Sequence, residues 1–355
     1  MLKAGFNLTL LAGLFILASC AGEAPPAASG GAASKGEIIR TVIPGQSLEG
    51  DIAQDDTPLD ALIYLPPSYA SDPQKRYPLL VLLHGFWSSP EQWESEFISI
   101  SALYSDALAA GEAQEMIIVM PMGADRLGGG FFVDGAASGD WETYVAEDVV
   151  GFVDSAYRTL PARESRGVAG HSMGGYGALS VAASRPDVFS AVYAMSPCCG
   201  DMIEEFGTDT PHWASADELD DMAAFESSQD FLARVLIAIG AAWTPDASAP
   251  LMSRRPVEDG VIDEAVLESW RERTLLRLVP ARLDNLKRYT AIGLDVGDQE
   301  EFSHIAASTR ALSEQMESLG LRHAFVIYPG DHVSGVGAQL REEVLPFFSE
   351  HLDAD

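Results

Sequence analysis

The chain predicts an α/β fold: a mostly parallel central sheet with helices on both faces. Three observations carry that reading. Short apolar runs recur along the chain, amphipathic helical segments separate them, and Gly170-His171-Ser172-Met173-Gly174 stands between one such run and a segment of small residues. Strand, sharp turn, helix is the setting in which a Gly-x-Ser-x-Gly pentapeptide holds a serine oxygen out at the carboxyl edge of a sheet.

The elements follow in order. Residues 61–65 read as a strand ended by Pro66-Pro67. Residues 77–83 are continuously apolar, as in a central strand covered on both faces. Residues 116–120 form a similar run, stopped by Pro121. Val145, Val149, Phe152 and Ala156 fall on one helical face. The short run 167–170 precedes the pentapeptide, and the small residues after Gly174 predict a tightly packed helix. Strands are expected again at 191–195, 291–294 and 324–328. Ile305, Leu312, Met316 and Leu319 share a helical face, with Gly320 as its C-terminal cap. The stretch 200–288 breaks the alternation. It is acidic in places, carries Trp213, Trp243 and Trp270, and is expected to fold over the carboxyl edge of the sheet as a helical cap. Gly128-Gly129-Gly130 lacks the Lys-Ser/Thr of a phosphate loop and reads as a flexible connector.

Composition narrows the function. With 53 Asp+Glu against 22 Lys+Arg, the formal net charge of the 355 residues is −31. Such a surface repels phosphate backbones, so nucleic acid is not an expected partner. Residues 1–19 read as an export signal: Lys3 gives the positive region and Phe6 to Leu17 an apolar run too short to span a bilayer. Leu17-Ala18-Ser19-Cys20 resembles a bacterial lipobox, in which Cys20 is lipidated and becomes the first mature residue. That implies an exported protein of the cell envelope, anchored by lipid at the outer membrane without spanning it; a plain secretory signal would instead leave it periplasmic or secreted. Residues 20–36 are a low-complexity tether, and 37–355 the folded domain with its insertion at 200–288. Cys198 and Cys199 remain, as a strained vicinal disulfide or as two small buried residues in a loop. Metal-ligand spacing is absent, and no cofactor is expected.

A serine hydroxyl needs a base to take its proton, normally a histidine steered by a carboxylate. For Ser172 on such a turn the expected order is serine, acid, histidine. Of the histidines after Ser172, His332 follows the last strand at once and is the expected base; His212, His304, His323 and His351 are worse placed. The acid belongs just after the preceding strand, where Asp295, Asp298, Glu300 and Glu301 compete. Asp295 is expected within the strand and Glu301 to point outward with the next helix, leaving Asp298 and Glu300 in the turn. The backbone N–H groups of Met173 and Phe86 are the expected oxyanion donors. Trp87 and Trp93 are candidates for lining an acyl or aromatic pocket.

From about Leu62 onward the chain resembles the esterase branch of the α/β-hydrolases, which includes esterase D (S-formylglutathione hydrolase), enterochelin esterases, feruloyl and acetyl-xylan esterases and antigen 85 mycolyltransferases. The resemblance rests on His84-Gly85-Phe86, Gly139-Asp140-Trp141-Glu142, the run from Arg166 through Gly170-His171-Ser172-Met173-Gly174-Gly175-Tyr176-Gly177-Ala178, and Pro329-Gly330-Asp331-His332. It implies an α/β-hydrolase fold and a serine ester hydrolase that forms an acyl-enzyme from a small-molecule or carbohydrate-linked ester. That branch usually shows an Asp-x-Gly-x-x-Asp turn. Asp295-Val296-Gly297-Asp298-Gln299-Glu300 matches it with glutamate in the last place, which favours Glu300 and keeps Asp298 as the alternative acid. Acyl transfer on the same fold, or a non-catalytic surface binding protein, are the other functions such a chain could serve. The resemblance does not reach into 200–288, the part that would set specificity.

Overall fold

The computed structural model describes residues 35–49, 58–136 and 138–355. The expected export signal, Cys20 and all but the last residues of the expected tether lie outside them. Eight strands form one sheet: β1 (Glu37–Val42), β2 (Asp60–Leu65), β3 (Leu79–Leu83), β4 (Ile117–Pro121), β5 (Arg166–His171), β6 (Ala191–Met195), β7 (Ala291–Gly297) and β8 (Ala324–Tyr328). Their order is β1-β2-β4-β3-β5-β6-β7-β8. Only β2 runs against its neighbours; β3 to β8 are parallel. The strand β1 had no counterpart in the sequence reading. Its exposed and half-buried pattern reflects an edge strand with one partner, and Glu37, Arg40 and Thr41 break the apolar run that marks a central strand.

Side chains alternate across each strand with period 2, so β3 feeds two cores. Leu79, Val81 and Leu83 enter one face with Val145, Val149 and Val153. Leu80 and Leu82 enter the other with Tyr104, Leu345 and Phe348. The second face is covered by α1 (Ile100–Ala110), and the first by α2 (Val150–Ala156) and α3 (Met173–Ser184). Removing a fully buried leucine such as Leu82 to alanine costs about 2–5 kcal/mol in sites of this kind. Glycines let α3 pack close: a Cβ on Gly174 would stand 2.2 Å from the Leu83 carbonyl oxygen.

The stretch between β6 and β7 is helical. It contains α4 (Phe231–Trp243) and α5 (Glu264–Arg273) among shorter helices, and a two-strand ribbon of Val257–Glu258 with Val261–Ile262. Its three tryptophans form its interior: Trp270 packs on Trp213 at 5.9 Å and on Trp243 at 5.7 Å between ring centroids. Asp230 and Asp263 cap α4 and α5 by accepting backbone N–H groups of the first turn. Then α6 (Ser303–Ser318) follows β7, with Gly320 in the left-handed region at φ 68° just beyond its end, and α7 (Leu345–His351) closes the chain.

Candidate active site

Ser172 sits between β5 and α3 with φ 57° and ψ −115°, a conformation that costs energy for a residue with a Cβ. The turn is held on both sides. Ser172 N–H donates to the Met195 carbonyl at 2.9 Å, and its own carbonyl accepts from Tyr176 at 3.0 Å and Cys198 at 3.2 Å. Gly170 permits the bend, because a Cβ there would lie 2.2 Å from the Gly174 carbonyl oxygen. Met173 opens α3, so its amide has no carbonyl one turn back to bond. Across from it, a Cβ on Gly85 would come within 3.6 Å of the Ser172 Cβ, which brings the loop carrying Phe86 against the serine.

That loop is fixed by His84. Its Nδ1–H donates to the Gly85 carbonyl at 2.8 Å and its Nε2 accepts from Gly123 N–H at 2.9 Å. Burial pushes the ring's pKa down to about 4, so it stays neutral and can do both. The glycine run 128–130 is pinned, contrary to its reading as a flexible connector. Gly128 accepts from the Trp87 amide at 2.9 Å, and Asp125 Oδ1 accepts from Leu127 at 2.8 Å and Gly129 at 3.1 Å. The glycines are there for close approach: a Cβ on Gly129 would meet Met173 Sδ at 2.4 Å, and one on Gly130 the Trp141 ring at 2.2 Å. Trp93 is buried in the second core, and Trp87, 44% exposed, packs against Phe225 and the Arg234 guanidinium; neither lines the cavity around Ser172.

His332 comes to the same cavity as Ser172 from the loop after β8 and is held at three points. Its backbone N–H donates to Glu301 Oε2 at 3.1 Å. Its carbonyl accepts from His171 Nε2 at 2.7 Å. Its Nδ1 stands 2.6 Å from Glu300 Oε1, and the two side chains are only 9% and 1% exposed. Neither this nitrogen nor either Glu300 oxygen has a hydrogen bond elsewhere among the described residues, so the pair faces only itself. Asp298 is exposed and engaged away from the ring. Its Oδ1 accepts from Gly330 N–H at 3.2 Å, and its own amide donates to the Tyr328 carbonyl at 2.9 Å. It staples the turn after β7 to the loop after β8. Asp295 lies within β7, as its position predicts. It is buried, accepts from Ser196 N–H at 3.2 Å, and burial pushes its pKa up to about 8. Glu301 differs from expectation. It does not turn away with α6 but reaches back to the His332 amide, because the loops after β7 and β8 run side by side.

His171, the variable residue of the pentapeptide, had no assigned role in the sequence reading. The structure sets its ring against that of His332, with 4.6 Å between centroids and the planes tilted by 45°. Burial, with the neighbouring His332 charge, pushes its pKa down to about 3. A neutral ring there puts no second positive charge beside His332, while its Nε2–H still holds the loop. His304, also on the cavity wall, is pushed down to about 4 by burial. Only the fold brings these histidines together, so spacing alone carried no signal for them.

The cavity has a volume of about 480 Å³. Its walls come from the loop after β3, from the insertion through Met202, Phe206, Phe231, Leu232 and Val235, from the start of α6, and from the loop after β8. Cys198 and Cys199, with sulfur atoms 2.6 Å apart, form part of the wall.

Eight strands in this order, with a serine elbow after β5, an acidic turn after β7 and a histidine loop after β8, define an α/β-hydrolase. The chain belongs to the family described as "Putative esterase", whose model matches residues 56–336. An esterase of Mycobacterium tuberculosis, Esterase Rv1288, is 24% identical over 306 residues, covering 82% of this chain and 58% of that protein. The S-formylglutathione hydrolase of Paracoccus denitrificans is 29% identical over 167 residues, 42% of this chain and 56% of that protein. The chain thus spans little more than half the length of these relatives. A solved ferulic acid esterase superposes with a TM-score of 0.60 at 21% identity, over 90% of this chain and 100% of that one, a likeness of fold.

Proposed function

We propose that this protein hydrolyses carboxylic esters through an acyl-enzyme. Ser172 Oγ attacks the ester carbonyl carbon as His332 takes its proton. The oxyanion is received by the N–H groups of Phe86 and Met173. The bond to the alcohol oxygen breaks, and His332 returns the proton to the leaving alcohol. Water, deprotonated by the same imidazole, then attacks the acyl-serine and releases the acid and free Ser172. Glu300 orients the ring and offsets the imidazolium charge. The observation that carries this reading is the buried contact of Glu300 with His332 Nδ1, which fixes the tautomer and leaves Nε2 for the serine. Residues 37–355 act as one catalytic domain, with 200–288 as its cap. Export by residues 1–19 and lipid attachment at Cys20 would anchor it in the cell envelope; loss of radiolabelled fatty acid from a Cys20→Ala variant tests that part.

The test of the hydrolase reading is a fluorophosphonate probe, which reacts only with an activated serine. It should label the intact protein on Ser172 and leave Ser172→Ala unlabelled. A folded protein that takes no label, or a variant that still does, would refute it.

A further inference from the structure

The geometry points to an uncharged aliphatic acyl chain, longer than acetyl, as the group this site takes; the inference rests on the ester hydrolase reading above. An aromatic arch crosses the site. Phe86 of the oxyanion loop packs edge-on against Phe231 of the insertion at 5.7 Å, Phe231 meets Phe302 at 6.0 Å, and Phe302 meets the His332 ring at 5.1 Å. The insertion therefore supplies the ring that joins the oxyanion side of the site to the base.

Charge is nearly absent beneath it. Among the residues lining the cavity there is no lysine or arginine, and the one carboxylate, Glu301, is engaged with the His332 amide. Gln92 is engaged too, its Oε1 accepting from Gly85 N–H at 3.2 Å. A glutathione thioester would bring carboxylates to a lining without a cation, since the Arg234 guanidinium, 6.0 Å from the Phe231 ring, lies over Trp87 and outside that lining, on a chain of net charge −31. A feruloyl group would bring a phenolic oxygen that must find one of the few polar side chains of the lining, such as Ser88, Ser95 or His304, and an unmatched buried hydroxyl is costly. An alkyl chain loses nothing there. The apolar surface also continues outward: Phe97 and Val333 line the cavity yet are 87% and 54% exposed, so a chain leaving the serine still finds apolar surface to cover.

Each methylene buried should raise kcat/KM by about fourfold until the cavity is filled, so p-nitrophenyl butyrate should exceed the acetate by roughly fifteenfold. The purified protein would be assayed on p-nitrophenyl acetate, butyrate and hexanoate, methyl ferulate and S-formylglutathione. Butyrate and hexanoate well above all the others is the expected result. Phe231→Ala should cut the butyrate-to-acetate ratio by about threefold or more, whereas Phe231→Leu, which keeps an apolar side chain, should largely retain it. A ratio near one in the unaltered protein, a preference for S-formylglutathione or methyl ferulate, or an unchanged ratio in Phe231→Ala would overturn the inference. Fluorophosphonate labelling of the same preparation separates the two failures. Labelled protein with a flat chain-length series sinks the acyl assignment alone; unlabelled, inactive protein sinks the hydrolase reading beneath it.

Discussion

Replacing Glu300 by glutamine removes one charge and keeps the shape. The carboxylate oxygen is 2.6 Å from His332 Nδ1, and the pair is shielded from water. Unit charges at that separation interact by about 6 kcal/mol at an effective dielectric of ~20. Spreading each charge over two atoms, and the hydrogen bond that a glutamine carbonyl can still accept, lower the loss to about 4 kcal/mol, or roughly a thousandfold in kcat. The charge matters only when His332 is an imidazolium, in the transition state, so KM should change little. Asp298→Asn should cost less than about threefold in kcat, since that side chain serves the Gly330 amide and the amide oxygen of asparagine can still accept there. Initial rates on p-nitrophenyl butyrate, with thermal midpoints to show that both variants fold, make the comparison. A Glu300→Gln enzyme within tenfold of the parent would refute the assignment, and an equal loss in Asp298→Asn would move the role to that residue.

Two further outcomes follow from buried groups. His171→Ala leaves the His332 carbonyl without its donor and should destabilise the protein by about 1–3 kcal/mol while lowering kcat more than it raises KM; unaltered urea midpoint and kcat would count against a positioning role. Asp295 ordinarily ionises at 3.8, but in the native state it keeps its proton up to about 8. Between those values the folded protein holds one proton more than the unfolded chain, so this group makes stability fall as pH rises, by at most about 1.4 kcal/mol per pH unit, and levels off above pH 8. Asp295→Asn should remove that slope. Urea unfolding of parent and variant from pH 5 to 8 tests it, because the neutral histidines at 84, 171 and 304 contribute equally to both; parallel curves would be the contrary result.

The strands are legible where the chain writes an apolar run, whether from burial on both faces, as at 191–195, or at the half-exposed edge strand 324–328. Both are placed to the residue, and β3 and β4 to within two. The half-exposed edge strand β1 carried no such run and was missed. At the site, local order points to Ser172 and His332, because an elbow and a loop at strand ends are local features. Ranking four neighbouring acids was not a local matter. Whether Asp298 or Glu300 meets the ring depends on how the turn after β7 lies against the loop after β8, and a hydrogen bond from Gly330 diverts the first while burial presents the second.

What the sequence determined by itself was the alternation of buried strands and helices and the bend at Ser172, since both follow from the period of apolar side chains and from glycines that no Cβ can replace. The rings around Ser172 were decided only in three dimensions. Phe86, Phe231, Phe302 and His171 come from four separate segments, and His332 from a fifth; folding brings them to one rim because the parallel strands β3, β5, β7 and β8 and the insertion all meet there.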